Sequence, residues 1–258
     1  MSITLADAFL KTTRAKVHLD SLRNEVAIFR DSKPHRVTRQ RDITNRRFLI
    51  HFKIANIPDG LYLIVGDFLY CMRSSLDQLV WSLAKLNKPY PRGTQFPILE
   101  KRNEKKFLGD TKGMPVEARQ IIESLQPYNA GQSAVKNHLL WKLNKLSNID
   151  KHRRIPIHSD VSMAYFPDLP RKFGRLLKVD NEGTVSVPLH LESYMRIQKD
   201  ASFNIIFGDV VEGVECDIEG LEQIYDFVTF KALPRFTRFF QHIGGTPSEP
   251  NSHTRIES

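Results

Sequence analysis

The chain has 258 residues, 41% hydrophobic and 26% charged, with a formal net charge of +9, a composition typical of a globular protein and not of a disordered one. It contains only Cys71 and Cys216, which excludes a disulfide framework and favours a cytoplasmic protein with reduced thiols. No apolar run approaches the roughly 18 residues of a membrane span, and charged residues begin too early at the N-terminus for a signal peptide.

Residues 3–31 are predicted to form one long helix. Apolar or small side chains recur alternately four and three residues apart, which is the spacing of a heptad seam. The seam residues are Ala8, Thr12, Ala15, Leu19, Leu22, Val26 and Phe29. Pro34 ends the helix, because proline lacks the backbone N–H that a helix requires.

A β-hairpin is predicted over about residues 36–55. Residues 36–41 form the first strand and residues 42–45 the turn. The second strand shows the alternation typical of β-structure. Its inward residues are Phe48, Ile50, Phe52 and Ile54.

The positive charge of the chain is concentrated in and before this hairpin, since residues 11–53 hold 12 Lys or Arg and 4 Asp or Glu. Such a surface attracts polyanions, above all nucleic acid, although a solvated basic face without a partner has the same composition. The residues expected to contact phosphates are Arg36, Arg39, Arg41, Arg46 and Arg47. Phe48 and Phe52 could stack on bases, but their alternation with Ile50 favours a place in the core.

A second long helix is predicted over residues 61–87, about 40 Å long at 1.5 Å per residue. Its seam is more regular than the first one. It consists of Val65, Leu69, Met72, Leu76, Leu79, Leu83 and Leu86. Two such seams in one chain most simply pack on each other as an antiparallel helix pair.

Shorter helices are predicted over residues 115–125, with Pro115 in the first turn, and over residues 133–151. After Arg154 the sequence changes to short β-rich runs separated by turn residues, which indicates an antiparallel sheet. A closing helix over residues 219–243 would pack back onto the bundle, and Pro234 would bend it.

The predicted fold class is therefore α+β, a bundle of long helices with an inserted hairpin. Three parts are expected: a helical bundle with the hairpin over residues 1–154, an antiparallel β-rich part with the closing helix over residues 155–243, and a disordered tail over residues 244–258.

Arg73 and Asp77 lie four residues apart on the second helix and therefore on the same side of it. They flank the seam residues Met72 and Leu76, so at least one of them is expected to be partly buried. A buried arginine needs a carboxylate, and Asp77 is within reach. The pair is either an ion pair at the edge of the core or an arginine that Asp77 orients towards a phosphate.

Asn148 and His152 share one face at the end of the helix over residues 133–151. The imidazole could transfer a proton or contact a phosphate near neutral pH, whereas a cationic side chain in the last turn also has a purely structural role. Asp150, His152, His158 and Asp160 lie within eleven residues and are of types that bind metals, but their spacing matches no known metal geometry, and no metal is predicted.

Motifs of several common enzyme and zinc-site classes are absent. The chain has no P-loop, no GxGxxG after a strand, no GxSxG, no HExxH and no CxxC. No cofactor is therefore predicted.

The segments GDFLYCMRSSLDQLVWSLAKLN, TQFPI, LQPY and LSNIDKHR occur together in this chain. In this combination the chain resembles a widespread set of bacterial proteins whose helix reads roughly G-D-x-L-x-x-x-R-S-x-L-D-H-L-V-W. The resemblance covers about residues 1–160 and brings no known activity with it.

In those relatives the helix carries Arg, four residues and then His, which is similar to the motif of HEPN-type domains. These are helical, often dimeric modules of RNA-cleaving toxins and abortive-infection proteins, in which the Arg and the His act on the RNA phosphodiester. Arg73 matches the Arg, but Gln78 occupies the position of the His and cannot transfer a proton near neutral pH. A HEPN-like activity would therefore be lost, or would need His152 of a neighbouring helix as a substitute.

Three functions are expected from these patterns. The first is binding of RNA or another polyanion through the basic surface. The second is a HEPN-like phosphodiesterase (a ribonuclease) in which Arg73, Asp77, Asn148 and His152 converge, so that the arginine stabilises phosphate charge and the histidine moves the proton. The third is a homodimeric scaffold without catalysis, which unsatisfied heptad seams would favour.

Overall fold

The computed structural model describes residues 4–87, 91–160, 178–179, 184–194 and 204–241. It confirms the α+β class, because long helices pack together beside two small antiparallel sheets. The predicted β-rich run at residues 161–166, most of the run at residues 174–179 and the predicted disordered tail at residues 244–258 lie outside the described residues.

The two long helices form the predicted antiparallel pair. The first, α1 (Ala6–Asp31), buries every residue of its predicted seam. The second, α2 (Asp59–Lys85), runs in the opposite direction, since Lys11 lies over the ring of Tyr70 whereas His18, farther along α1, interacts with the earlier residue Asp67. The seams are thus satisfied within one chain.

The predicted hairpin joins these helices and is confirmed. Its strands are β1 (His35–Asp42) and β2 (Arg47–Ile54), which pair antiparallel. The carboxylate of Asp42 accepts hydrogen bonds from the backbone N–H of Asn45 at 3.0 Å and from its side-chain amide at 2.8 Å. Arg46 closes the turn with a φ of 50°, a conformation that residues other than glycine adopt rarely.

The hairpin belongs to a larger sheet that also contains a strand from the C-terminal part. β5 (Thr184–Pro188) pairs antiparallel with β2, and the short β4 (Lys178–Val179) pairs with β5, in the order β1-β2-β5-β4. Phe48 and Ile50 lie opposite Val187 and Val185, and all four side chains are buried. One sheet therefore crosses the boundary expected at residue 154.

Three shorter helices follow α2, namely α3 (Glu104–Asp110), α4 (Val116–Ser124) and α5 (Leu139–His152). The sequence did not predict α3, which begins after Asn103, whose side chain accepts a hydrogen bond from the N–H of Lys106 at 3.0 Å. The helix expected over residues 133–151 begins later, because His138 has an extended backbone conformation.

The second sheet and the closing helix complete the fold. The sheet consists of β3 (Ile157–Asp160), β6 (Asn204–Asp209) and β7 (Val214–Cys216), all antiparallel. The closing helix begins as α6 (Ile218–Asp226) and continues as a π-helical turn (Phe227–Ala232) and a 3-10 segment (Leu233–Phe239).

The closing helix changes to the 3-10 segment one residue before Pro234, because proline cannot donate the hydrogen bond of an α-helix. Arg23 of α1 donates from Nε to Glu222 of α6 at 2.6 Å. The closing helix thus packs back onto the bundle, as predicted. None of the described helices is long and apolar enough to cross a membrane.

Candidate functional site

Arg73 and Asp77 of α2 bind the backbone of the same residue, Phe96. Nη2 of Arg73 donates to the carbonyl oxygen of Phe96 at 2.7 Å, and the N–H of Phe96 donates to Oδ1 of Asp77 at 2.8 Å. The two charged side chains are themselves 3.4 Å apart. Because the Phe96 side chain is fully buried, the pair anchors an irregular segment to the helix at a core residue.

The guanidinium of Arg73 lies in a mostly buried environment, with 11% of its side chain exposed. Burial lowers the pKa of Arg73, while the carboxylates of Asp77 and Asp110 oppose this shift. Oδ1 of Asp110 accepts a hydrogen bond from the side chain of Gln95 at 3.0 Å. Nη1 of Arg73 is buried and makes no hydrogen bond to any residue that the structure describes.

A second polar side chain, that of Gln126, holds the same segment. Oε1 of Gln126 accepts a hydrogen bond from the N–H of Leu99 at 3.0 Å, and its Nε2 donates to the carbonyl oxygen of Pro97 at 2.8 Å. Gln126 is buried and belongs to the LQPY segment. Gln126 was not among the predicted site residues, although TQFPI and LQPY occur together in the sequence.

Gly66 allows a close approach of α5 to α2. A Cβ atom at this position would lie 2.7 Å from Oδ1 of Asp150, which is too close for a non-bonded contact. Burial, and the nearby charge of Asp67, raise the pKa of Asp150. At the end of this contact, Arg154 forms an ion pair with Asp59 at 3.1 Å. The end of α5 therefore faces the first half of α2.

Asn148 and His152 are exposed at this end of α5. Arg73 lies seven residues beyond Gly66 on α2, which corresponds to about 10 Å along the helix axis. The described contacts bring neither Asn148 nor His152 to Arg73. Arg73 and Asp77 meet at Phe96, whereas the convergence of all four residues as a catalytic group stays a prediction.

No cluster of three or more His, Cys, Asp or Glu side chains that could hold a metal ion occurs among the described residues. His158 instead pairs with Glu215, with 3.0 Å between Nε2 and Oε1. The side chain of Asp160 lies outside the description.

Two of the five hairpin arginines are held by contacts within the protein. Arg41 forms an ion pair with Glu192 at 2.8 Å. Arg47 donates to the hydroxyl and to the carbonyl oxygen of Ser186, both at 2.7 Å. These guanidinium groups stabilise the sheet and are less free to bind a ligand.

The other three hairpin arginines, Arg36, Arg39 and Arg46, are exposed and have no ion pair within the described part of the chain. Arg39 lies opposite Ile50 on one face of the edge strand β1, and Arg36 lies on the other face because adjacent residues alternate. Arg46 lies in the turn. Two of the three cations thus lie along the edge strand, and the third lies at the tip of the hairpin.

Comparison with protein-family models, with curated proteins and with solved structures returns no match.

Exposed guanidinium groups determine the chemistry of the hairpin surface. Arginine presents its donors in a planar fork that fits phosphate oxygens. Phe48 has 4% of its surface exposed, so it belongs to the core and is not available to stack on a base. The side chain of Phe52 is not among those described. His51 completes the polar face, with its ring nitrogens 3.2 Å from Thr184 Oγ1 and 3.4 Å from Gln40 Oε1.

Proposed function

We propose that this protein binds RNA or another polyanion through the edge and tip of its hairpin. The observation that carries the proposal is the set of three exposed arginines, Arg36, Arg39 and Arg46, without a carboxylate partner among the described residues. An unpaired surface cation can exchange its counterion for a phosphate without first breaking an internal ion pair.

The charge of the surrounding chain supports the same proposal. Residues 11–53 carry 12 basic and 4 acidic residues, so the field around the hairpin is positive. Such a field accelerates the encounter with a polyanion and weakens as salt is added. With Phe48 in the core, phosphate contacts would dominate over base contacts, and we expect little sequence specificity.

The proposal is tested by fluorescence anisotropy with labelled single-stranded RNA, duplex RNA and DNA. If the three arginines each neutralise one phosphate of a single strand, log K should fall with log[salt] with a slope of about −2. The triple variant R36Q/R39Q/R46Q should bind at least about tenfold more weakly at low salt and should show a flatter salt dependence.

A matched control removes the same number of positive charges elsewhere. Lys101, Lys105 and Lys112 are exposed and lie outside the hairpin, so K101Q/K105Q/K112Q should retain most of the binding. If the two triple variants lost the same amount of affinity, the binding would depend on net charge and not on the hairpin. Absence of binding by the natural chain at low salt would contradict the proposal.

The two alternatives have weaker support. For a HEPN-like ribonuclease, Arg73 already binds the backbone of Phe96, Gln78 replaces the expected histidine, and no described contact links His152 to Arg73. For a homodimeric scaffold, the predicted reason was unsatisfied seams, whereas every seam residue of the two long helices except the half-buried Leu86 is buried within one chain. Light scattering of the purified chain would test the second alternative directly.

A further inference from the structure

A cleft of about 240 Å³ opens between α3 and α4. It shares no lining residue with the hairpin or with the contacts of Arg73. The residues that determine its chemistry are Arg102, Phe107, Leu108, Val116, Arg119 and Tyr128. Pockets for drug-sized ligands have volumes of about 300–1,000 Å³, so this cleft suits a smaller molecule, on the order of ten non-hydrogen atoms.

One part of the cleft is apolar. Phe107 is buried there, whereas Leu108 is 43% exposed and Val116 is 55% exposed. The helices already bury Phe107, Ala118 and Ile122 against the core. Leu108 and Val116 thus present apolar surface to the cleft that the fold itself does not use.

The polar part of the cleft contains two arginines, of which only one has a carboxylate partner among the described residues. Arg102 pairs with Glu123 at 3.1 Å, and the hydroxyl of Tyr128 donates to the same carboxylate at 3.3 Å. Arg119 has no ion pair within the described ranges, and its Nε is buried without a hydrogen-bond partner there. Glu104, at the start of α3, also lines the cleft and could accept a positively charged group.

We propose that this cleft binds a compact organic carboxylate with an aliphatic or aromatic body. The body would lie on Leu108 and Val116, and the carboxylate would pair with the guanidinium of Arg119, which lines the cleft and has no ion pair among the described residues. A charge-assisted bond between guanidinium and carboxylate in a partly desolvated site is stronger than a neutral one. A simple acid and an amino acid share this chemistry and differ only in an ammonium group near Glu104.

The test is a titration of the full chain, followed by the amide signals of Leu108 and Gln120 in NMR spectra. Phenylacetate is the probe, phenylacetamide is its neutral isostere, and phenylalanine is the amino-acid arm. We expect saturable shifts with phenylacetate at a Kd on the order of 1 mM and at least about tenfold weaker binding of the amide. Tighter binding of phenylalanine than of phenylacetate would support the amino acid as the ligand, and the reverse would support the simple acid.

Two variants locate the site and one controls for charge. Arg119→Gln should abolish the preference for the acid over the amide. Val116→Glu alters an exposed residue and should weaken phenylacetate at least about tenfold by placing a like charge beside it. Lys112→Gln removes a positive charge between α3 and α4 outside the cleft lining and should bind normally.

The proposal is overturned if none of the three probes gives saturable shifts up to about 10 mM. It is equally overturned if the acid and the amide bind alike, if Arg119→Gln binds as the natural chain does, or if the shifts centre on the hairpin. None of these outcomes depends on RNA binding, so the cleft and the hairpin are tested separately.

Discussion

Arg73 is mostly buried, and two nearby acceptors compensate its positive charge. Asp77 supplies a carboxylate 3.4 Å away and the carbonyl oxygen of Phe96 supplies a second acceptor. An arginine remains protonated in proteins even when burial lowers its pKa. Its guanidinium therefore acts as a permanent donor that holds the segment around Phe96 against α2, and this use leaves little of it for a substrate.

At the residue scale we predict that Arg73→Met destabilises the protein by about 2–3 kcal/mol, because a charge-assisted hydrogen bond is lost and a buried carbonyl loses its donor. Urea denaturation measures the change. Arg102→Met is the matched control, since its side chain is 73% exposed in its pair with Glu123 and should cost less than about 1 kcal/mol. Equal small losses in both variants would contradict a structural role for Arg73.

The spacing of four residues between Arg73 and Asp77 was sufficient to predict that they pair. Their common partner could not be predicted, because Phe96 lies nineteen residues beyond Asp77 and has no charge of its own. The convergence of Arg73 with His152 stays a prediction, since it depends on where α5 crosses α2 and not on the pattern within either helix.

At the scale of the element, α5 begins where a histidine caps it. Nδ1 of His138 accepts a hydrogen bond from the N–H of Leu140 at 3.2 Å, and its ring lies edge-on to Phe227 with 5.8 Å between the ring centroids. Burial lowers the pKa of His138 below its ordinary value of 6.5. Only the neutral ring can accept at Nδ1, so protonation would remove the cap.

We therefore predict that stability falls as the pH drops below 6.5, the ordinary value of His138. Between pH 6.5 and the lowered pKa, the imidazole is protonated in the unfolded chain but stays neutral in the folded chain. This difference in proton binding favours the unfolded chain. Asparagine can cap the helix but does not titrate. Between about pH 7.5 and about pH 5.5, the free energy of unfolding of His138→Asn should therefore fall by about 1 kcal/mol less than that of the natural chain.

Urea denaturation at the two pH values provides the measurement. Burial also lowers the pKa of His18, so the asparagine variant should retain part of the pH dependence. An unchanged pH dependence in His138→Asn would show that the cap does not titrate in this range.

At the scale of the whole molecule, the N-terminal and C-terminal parts share their hydrophobic surfaces. β2 pairs with β5 across the predicted boundary at residue 154. Phe207 and Phe236 are fully buried in the same core cluster as the residues of α1 and α2. The bundle therefore lacks a complete core without the C-terminal part.

We predict that a chain ending at residue 154 does not unfold cooperatively, because it exposes the apolar surfaces that Phe207, Phe236 and β5 cover. Thermal unfolding followed by circular dichroism would show a broad transition or aggregation. A chain ending at residue 241 keeps every described residue and should unfold as the full chain does. A sharp transition of the 1–154 chain at the same Tm would instead establish an independent domain.

The sequence by itself determined the elements with strong local periodicity. The seam of α1, the long helix α2 and the hairpin could be predicted because neighbours three, four or two residues apart report the same buried face. The concentration of positive charge near the hairpin was also evident from the sequence alone.

Only the tertiary structure decided which groups meet. It assigned Phe96 to Arg73, Val187 to Phe48 and Glu192 to Arg41, and it left Arg36 and Arg39 without a carboxylate partner among the described residues. Such contacts depend on the crossing of helices and on the register of strands that are far apart in sequence, and local periodicity contains no information about either.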